Sequence, residues 1–213
     1  MQLLIFDDMA QCTDAEVGRL LTLAGLQRRE QALRFSHTFG RFCCLKGYEL
    51  LLDCIERLRH NSDPAAQEML RRLDDWNGDF VYNEHGKPYL QSRTSTARIE
   101  GVEFNISHCK NAVAAVLHPA PVGIDVESFR TASPALIRRT MNDTETEQIH
   151  HADNPSREFT RLWTQKEAVL KLEGTGLVDN LPQVLSSNRY RLETIVNEPK
   201  GYVYTVATNK SQA

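Results

Sequence analysis

Apolar side chains recur at two different spacings along this chain, and the change of spacing separates helical blocks from strand blocks. Between residues 41 and 60 they recur every three or four positions, which predicts a long amphipathic helix. Between residues 79 and 127 they alternate with polar residues or form short runs, which predicts strands. The strand block contains a hairpin at His85-Gly86 and the segments VEFNIS, NAVAAVL and VGIDVE.

Boundary residues place the other elements. MQLLIF predicts a first strand, and residues 14–37 predict a helix that ends near Phe35. Asp63-Pro64 and Ser133-Pro134 each combine an N-cap residue with a proline suited to the first helical turn. The last third carries further signals: a capping box at Thr144 and Glu147, Ser156 as the cap of a long helix through Leu172, Gly174 or Gly176 as its end, and strands in YRLETIV and GYVYTVAT.

These blocks predict an α+β fold, because helices and strands are grouped along the chain. The turn His118-Pro119-Ala120-Pro121 divides the chain into two halves of similar length, residues 1–118 and 119–213. No sequence repeat relates the two halves. A chain of 213 residues suits one compact domain or two small halves packed together.

Composition argues against several functional classes. The formal net charge is -3, so nothing global indicates a nucleic-acid-binding protein. The five cysteines lack paired spacing, which argues against a disulfide framework and against a zinc module. No basic region precedes the short apolar run at the N-terminus, and no window reaches membrane-spanning length. We therefore expect a soluble, cytoplasmic protein that binds neither nucleic acid nor a membrane.

The segment VGIDVES, residues 122–128, brings two carboxylates to one face of a predicted strand. Because successive side chains point to opposite faces, Asp125 and Glu127 share a face, and Gly123 leaves space beside them. Two carboxylates at this spacing can hold one hard cation. The same pattern also fits a half-exposed strand with a polar outer face.

A third carboxylate, Glu167, lies in the predicted long helix, four residues before Lys171. Such a pair also occurs on ordinary helix surfaces, where it contributes about 0.3–0.5 kcal/mol. However, Trp163, Lys166 and a closing Gly-Thr-Gly make the pattern more specific than an ion pair requires. Three acids without a histidine or cysteine partner favour Mg²⁺, which prefers oxygen ligands and is often completed by substrate phosphates.

Groups suited to phosphate binding lie at the end of the strand FNISH, residues 104–108. Ser107 and His108 can donate hydrogen bonds to a phosphate there, and Lys87 adds a charge on the rigid turn Gly86-Lys87-Pro88. A lone histidine is also commonly structural. The sequence contains neither GxGxxG nor a P-loop, so a mononucleotide-type phosphate cradle is not predicted.

Taken together, four motifs resemble those of the 4′-phosphopantetheinyl transferases, of the monomeric, double-length Sfp type. They are Gly86-Lys87-Pro88, Phe104-Asn105-Ile106-Ser107-His108, Gly123-Ile124-Asp125-Val126-Glu127 and Trp163-Thr164-Gln165-Lys166-Glu167-Ala168 with Lys171. The motifs occur in the family's order between residues 86 and 177. The N-terminal third is also similar, through Arg34-Phe35 and the helix that carries Arg41 and Gly47.

The resemblance implies a pseudo-twofold α+β fold with coenzyme A bound between the two halves. It implies Mg²⁺ held by residues matching Asp125, Glu127 and Glu167 and by the coenzyme A diphosphate. It implies these coenzyme A contacts: Arg28, Arg41, Lys87, Pro88, Ser107, His108 and Lys171. The chain departs from the family pattern at Cys109, where many relatives have serine, and at Gln31, where a second basic residue is expected.

The implied reaction is transfer of phosphopantetheine from coenzyme A to a serine of an apo acyl or peptidyl carrier protein, which releases 3′,5′-ADP. Glu167 is the first choice for the proton acceptor and Glu127 the second, while Lys171 supports the phosphate charge. A monomer is expected, because both halves lie in one chain.

Three other interpretations remain open at this point. A magnesium-dependent nucleotide-diphosphate hydrolase would use the same acids without a carrier protein. A module that binds coenzyme A or a carrier without catalysis is the second, and the presence of all three acids argues against it. The third is a purely structural α+β protein.

Overall fold

The computed structural model describes residues 1–176 and 178–210. Leu177, which ends the motif region, and residues 211–213, which end the predicted second half, lie outside the described residues. The predicted α+β fold is confirmed. The elements are β1 (Gln2–Phe6), α1 (Asp14–Leu23), α2 (Leu26–Leu33), α3 (Thr38–Arg59), α4 (Pro64–Leu73), β2 (Trp76–Tyr82), β3 (Pro88–Ser92), β4 (Glu103–His108), β5 (Val113–His118), β6 (Val122–Ser128), α5 (Pro134–Thr140), α6 (Asp143–His151), α7 (Pro155–Glu173), β7 (Tyr190–Asn197) and β8 (Tyr202–Asn209).

Two three-stranded antiparallel sheets have the same connectivity. Their strand orders are β1-β5-β4 and β6-β8-β7, so in each sheet the last strand along the chain lies between the other two. A long helix packs on each sheet, α3 on the first and α7 on the second. The hairpin β2-β3 forms a separate two-stranded sheet. We propose the turn between β5 and β6 as the boundary between the two halves.

The two sheets meet along β4 and β6, the edge strands of their respective sheets. Side chains bridge this seam: Asn105 Oδ1 accepts a hydrogen bond from the Ile124 amide at 3.0 Å, and Ser107 Oγ accepts one from the Val126 amide at 3.2 Å. Asn105 and Ser107 therefore satisfy amides that no neighbouring strand pairs with. The seam places Ser107 beside Asp125.

Helix α7 lies directly on β6, and Gly123 permits the close approach. A Cβ atom at Gly123 would lie 2.0 Å from the Ala168 carbonyl oxygen and 2.5 Å from the Leu172 amide nitrogen. The expectation that Gly123 leaves free space beside the acids is therefore wrong. The backbone of α7 fills that space.

Some helix boundaries differ from the sequence prediction. Residues 14–37 form two helices, α1 and α2, because the chain is extended at Ala24 and Gly25. The capping box of α6 uses Asn142 and Glu145, two residues before the predicted pair. The cap of α7 is Asn154, not Ser156, because Pro155 takes the first helical position. Proline suits this position, since a backbone N–H there would have no partner within the helix.

Other boundaries are confirmed. Asp63 and Ser133 cap α4 and α5 through their side chains, and each is followed by a proline at the start of the helix. Gly174 ends α7 in the left-handed conformation, with φ of 70°. The two tail segments form β7 and β8. No helix in the described ranges is both long enough and apolar enough to cross a membrane.

Asp7, which follows β1, connects the first sheet to the turn between β7 and β8. One carboxylate oxygen accepts a hydrogen bond from Lys200 Nζ at 2.7 Å, and the other accepts one from the Tyr202 hydroxyl at 2.9 Å. The bond from Lys200 is the main reason that the pKa of Asp7 lies below its ordinary value. The carboxylate is therefore more easily ionised in the folded protein than in the unfolded chain.

We expect Asp7→Asn to lower the free energy of unfolding at about pH 6.5, and the difference from wild type to shrink as the pH falls below about 4. A carboxylate whose folded pKa is lowered stabilises the protein above its unfolded pKa, and this contribution is lost as the pH falls through the folded pKa. Urea unfolding of both proteins at several pH values measures it. Glu30→Gln, at an exposed carboxylate, is the control. A D7N difference that stays constant down to about pH 2.5 would contradict this account.

Candidate active site

Strand β6 and helix α7 bring the three predicted acids to one cavity. Side chains of Asp125 and Glu127 project from β6, and Glu167 and Lys171 face them from α7, one helical turn apart. Ser107 and His108 complete the wall from the end of β4. The lining residues of this acidic cavity, of about 410 Å³, are Ile106, Ser107, His108, Asp125, Glu127, Arg130, Trp163, Glu167 and Lys171.

Asp125 is buried and has only one of its two oxygens paired. Its Oδ1 accepts hydrogen bonds from Lys171 Nζ at 2.6 Å and from Ser107 Oγ at 3.0 Å. Its Oδ2 is buried and has no hydrogen-bond partner among the residues that the structure describes. A buried carboxylate oxygen is costly unless a donor or a cation satisfies it, so this atom suits a hydrogen-bond donor or a cation as a ligand.

The other two acids are half-buried and are destabilised as anions. Burial and then the charge of Asp125 raise the pKa of Glu127, and the same two causes raise the pKa of Glu167. One Glu127 oxygen accepts a hydrogen bond from Trp163 Nε1 at 3.2 Å. A cation placed among the three acids would relieve their mutual repulsion, and oxygen ligands of this kind suit Mg²⁺.

In their present conformations, the three acids are not close enough together to bind one metal ion. Across residues 1–176 and 178–210, no three histidine, cysteine, aspartate or glutamate side chains lie close enough together to hold a metal ion. Lys171 already pairs with Asp125, and Trp163 already bonds to Glu127. The acids would have to turn toward a cation, so the predicted ligand set of Asp125, Glu127 and Glu167 stays a prediction.

Ser107 is fully hydrogen-bonded within the protein. Its hydroxyl donates to Asp125 Oδ1 and accepts from Lys171 Nζ at 2.8 Å and from the Val126 amide. One proton and two lone pairs are then all used. As placed, the residue holds Asp125 and Lys171 in position and has no hydrogen bond left for the phosphate contact that the resemblance implies.

A second cavity, of about 350 Å³, adjoins the acidic cavity and shares Ile106, Glu167 and Lys171 with it. Lys87 and Pro88, which the resemblance implies as coenzyme A contacts, line it. Lys87 is buried, its Nζ donates to the Leu172 carbonyl at 2.7 Å, and burial lowers its pKa. The ammonium group thus lies between the hairpin and the end of α7, next to the cavity.

Arg28 and His108 line a third cavity, of about 250 Å³, on the N-terminal side. The buried guanidinium of Arg28 donates to the Cys44 carbonyl and to the Gln31 side chain, which are both neutral acceptors. The surrounding protein removes water from the His108 imidazole, and this desolvation is the main reason that its pKa is lowered. The positive charge of Lys171 is the second reason. A buried guanidinium bonded only to neutral groups favours an anionic ligand nearby. Arg41 bonds to the Phe35 carbonyl and is not among the residues that line these three cavities.

Lys166, part of the motif on α7, belongs to the core and not to the cavity. It is fully buried, and its Nζ pairs with Glu145 at 2.9 Å and donates to the Leu181 and Pro182 carbonyls. It thereby fastens α7 to α6 and to the short 3-10 helix Leu181–Ser186. The five-residue spacing from Lys171 already places these two lysines on different sides of the helix.

We expect Lys166→Met to destabilise the protein by about 3–5 kcal/mol, because it leaves the Glu145 carboxylate buried without its partner. The double variant K166M/E145Q removes both charges and should recover most of that loss. Guanidinium chloride unfolding of the single and double variants measures both effects. Equal destabilisation of the two variants would contradict the view that the unpaired charge is the cause.

Arg130 was not predicted from the sequence. It lines the acidic cavity, and its guanidinium carbon lies 5.1 Å from the centroid of the Trp163 ring. Two residues separate Arg130 from Glu127, the last acid of the β6 motif. The segment around Arg130 has no periodicity, so no sequence pattern predicts that it lines the cavity. Trp163 was named as part of the motif, but its hydrogen bond to Glu127 depends on how α7 crosses β6.

Comparison with known sequences supports the family suggested by the motifs. The sequence model of the 4′-phosphopantetheinyl transferase superfamily matches residues 121–206. This segment contains the three acids and Lys171, which are therefore part of the region that the family has in common with this chain.

Individual relatives extend the similarity into the N-terminal part. A 4′-phosphopantetheinyl transferase from Bacillus subtilis is 27% identical over 164 residues, which are 76% of this chain and 65% of the relative. The 4′-phosphopantetheinyl transferase Sfp from Bacillus subtilis (strain 168) is 27% identical over 161 residues, or 75% and 64% of the two chains. The 4′-phosphopantetheinyl transferase HetI from Nostoc sp. is 36% identical over 103 residues, which are 46% of this chain and 42% of the relative.

The match thus covers slightly less than two thirds of the length of the first two of these relatives. Residues 121–206, which the family model matches, include strand β6 and helix α7, and these two elements carry the acids of the cavity. The family model, the relatives and the α+β architecture together show that the chain is similar to the 4′-phosphopantetheinyl transferase superfamily.

Proposed function

We propose that this protein transfers the 4′-phosphopantetheine group of coenzyme A to a serine hydroxyl of an apo acyl or peptidyl carrier protein and releases 3′,5′-ADP. The observation that carries the proposal is the acidic cavity. Three carboxylates and Lys171 converge there, and Asp125 Oδ2 is buried without a partner. Relatives named 4′-phosphopantetheinyl transferase support the same reaction class.

Coenzyme A would lie along the three adjoining cavities, which share Ile106. Its diphosphate would lie against Lys171 in the acidic cavity, and its nucleotide end would extend toward Arg28 and His108. Arg28 is a stronger candidate for the 3′-phosphate than Arg41, because it is buried and lines the third cavity. Charge-assisted hydrogen bonds from these groups would hold the phosphates.

Asp125, Glu127 and Glu167 are the groups that would hold Mg²⁺, and the unpaired Asp125 Oδ2 fits such a ligand. When bound, Mg²⁺ would supply neutralisation of the diphosphate charge, on which phosphoryl transfer depends strongly. Calcium is less suited, because the sequence has no Asp-rich loop.

The transfer itself forms one bond and breaks one. The carrier serine oxygen bonds to the phosphorus that carries the pantetheine arm, and the bond from that phosphorus to the oxygen of the departing 3′,5′-ADP breaks. The serine proton passes to Glu167, directly or through a water molecule. Glu167 lines both the acidic cavity and the adjoining second cavity, so its carboxylate lies where the reacting groups would meet. Glu127 is the second choice, because Trp163 already occupies one of its oxygens.

Lys171 would transfer its hydrogen bond from Asp125 to the phosphate. Its Nζ lies 2.6 Å from Asp125 Oδ1 and 2.8 Å from Ser107 Oγ. Lys171 lines both the acidic cavity and the second cavity, which Lys87 also lines. It would therefore stabilise the negative charge that collects on the phosphate oxygens during transfer. Ser107 would keep Asp125 in place while Lys171 changes partner.

Intact-protein mass spectrometry tests the proposal. The protein is incubated with coenzyme A, Mg²⁺ and either an apo acyl carrier or an apo peptidyl carrier protein. The expected result is a gain of one phosphopantetheine mass on a carrier, which EDTA prevents. Release of a mononucleotide without a labelled carrier would favour the hydrolase. Coenzyme A binding with neither product would favour the binding module.

We also propose that the protein acts as a monomer in the cytoplasm. Both three-stranded sheets, which meet beside the acidic cavity, belong to one chain, and this supports a monomer. All five cysteines are free, as expected for a reducing compartment. Size-exclusion chromatography with light scattering tests the oligomeric state.

We expect Lys87→Ala to raise the KM for coenzyme A about tenfold and to change kcat less than KM. The change removes a buried cation from the wall of the second cavity, along which coenzyme A would lie, and one lost charge-assisted hydrogen bond is worth about 1.4 kcal/mol or more, or about tenfold in affinity. Steady-state kinetics with varied coenzyme A measures it. Lys210→Ala, on the exposed end of the chain, is the control. An unchanged KM would remove Lys87 from the binding site.

A further inference from the structure

The proposed transfer does not use Arg130, although this residue lines the acidic cavity. It lies two residues after the end of β6, and its backbone amide donates to Thr160 Oγ1 at 3.2 Å, which fastens it to α7. Its Nε is buried and has no hydrogen-bond partner within residues 1–176 and 178–210. A buried arginine nitrogen without an acceptor is unusual, so the side chain must be held in this place by something other than a hydrogen bond at Nε.

Two aromatic rings hold the guanidinium of Arg130. Its Cζ lies 5.1 Å from the centroid of Trp163 and 5.5 Å from that of Phe159. The two rings are stacked on one another, with centroids 6.3 Å apart and planes 11° apart. Both Arg130 distances are within the range of cation–π interactions. Arg130 and Phe159 together therefore restrict the orientation of the Trp163 indole.

The orientation of Trp163 in turn fixes Glu127. An indole has one hydrogen-bond donor, and here Nε1–H donates to Glu127 Oε1 at 3.2 Å. If the indole rotates, this bond is lost and the Glu127 carboxylate can turn freely. Contacts of this kind, one step behind the metal ligands, commonly determine how well a site binds its ion.

We propose that Arg130 is a positioning residue of the acidic cavity: its guanidinium holds the Trp163 indole so that the indole N–H fixes one oxygen of Glu127 and leaves the other for a divalent cation. The cation's role rests on the proposed function, whereas the contacts from Arg130 through Trp163 to Glu127 do not depend on it. The competing explanation is that Arg130 only covers two apolar rings, as arginine stems often do. That role would affect stability but not cation affinity.

Tryptophan fluorescence can test this directly, because the chain has two tryptophans and Trp76 lies in the N-terminal core, stacked on Phe80. Trp76→Phe leaves Trp163 as the reporter. In this background, Mg²⁺ is titrated in the presence of coenzyme A while Trp163 emission is recorded, for the parent protein and for R130M, R130K and R71M. Arg71→Met is the matched control, because Arg71 is an exposed arginine on α4.

The expected result is a rise of about tenfold in the half-saturating Mg²⁺ concentration for R130M, a smaller rise for R130K, and none for R71M. A folded R130M or R130K protein whose half-saturating Mg²⁺ concentration equals that of the parent protein would overturn the inference. If R130M does not fold, the result for R130K is used. Carrier labelling by the W76F protein without any Mg²⁺ response of Trp163 would also overturn it, while leaving the proposed function standing. A W76F protein that neither binds Mg²⁺ nor labels a carrier would remove both.

Discussion

Asp125→Asn is expected to reduce phosphopantetheine transfer by about 10³-fold or more while the protein stays folded. The substitution keeps an oxygen that can accept from Lys171 and Ser107, so the seam around residue 125 is preserved. It removes the negative charge at the buried oxygen that has no partner. Groups that organise charge around a transferred phosphoryl are commonly worth about 10³–10⁵ in rate. The expected loss is therefore much larger than any change in stability.

Initial rates of carrier labelling, followed by mass spectrometry at saturating coenzyme A, measure the effect. Circular dichroism and urea unfolding confirm that the variant is folded. Asp153→Asn, at an exposed position on the connection into α7, is the matched control and should be as active as wild type. Glu167→Gln should resemble D125N. Turnover by D125N within about tenfold of wild type would refute the assignment of Asp125 to the cation site.

Gly123→Ala is expected to destabilise the protein by about 3 kcal/mol or more and to abolish transfer. The added methyl group would overlap the Ala168 carbonyl oxygen and the Leu172 amide, at 2.0 and 2.5 Å. Both atoms belong to the backbone of α7, so no side chain can move aside, and the helix must separate from β6. Overpacking of this kind costs about 1–3 kcal/mol and occasionally more. The same movement would carry Glu167 and Lys171 away from Asp125.

Urea unfolding measures the loss, and Gly18→Ala is the internal comparison. A Cβ at Gly18, within α1, meets no atom within 4 Å. That substitution should stabilise the protein by about 0.5–1 kcal/mol through helix propensity. If G123A unfolded within about 0.5 kcal/mol of wild type, the contact between β6 and α7 would not be as close as described.

Periodicity predicted the elements that carry the acids, and the reason is local. Alternation along β6 places Asp125 and Glu127 on one face whatever the sheet around them, and a four-residue spacing does the same for Glu167 and Lys171. The lateral placement of α7 across β6 is not local. It depends on Gly123, whose role was misread from the sequence as free space because the partner helix is distant along the chain.

The predicted start of α6 was wrong because two neighbouring capping-box patterns competed. Asn142 with Glu145 and Thr144 with Glu147 have the same spacing, and asparagine is the stronger N-cap, so α6 begins at Asp143. The contacts of Ser107 could not be predicted either. Its hydroxyl, on β4 of the first sheet, connects Asp125 and Val126 of β6 with Lys171 of α7, and β4 meets those two elements only when the two sheets pack together.

The side-chain seam between β4 and β6 has a consequence for solubility. Each strand is the outermost strand of its own sheet, and both are largely buried. An uncovered strand edge offers its backbone groups to strands of other molecules and is a common start of aggregation. Here the amides of Ile124 and Val126 are occupied by Asn105 and Ser107. The contact that assembles the acidic cavity therefore also closes off two edges that would otherwise recruit neighbouring chains.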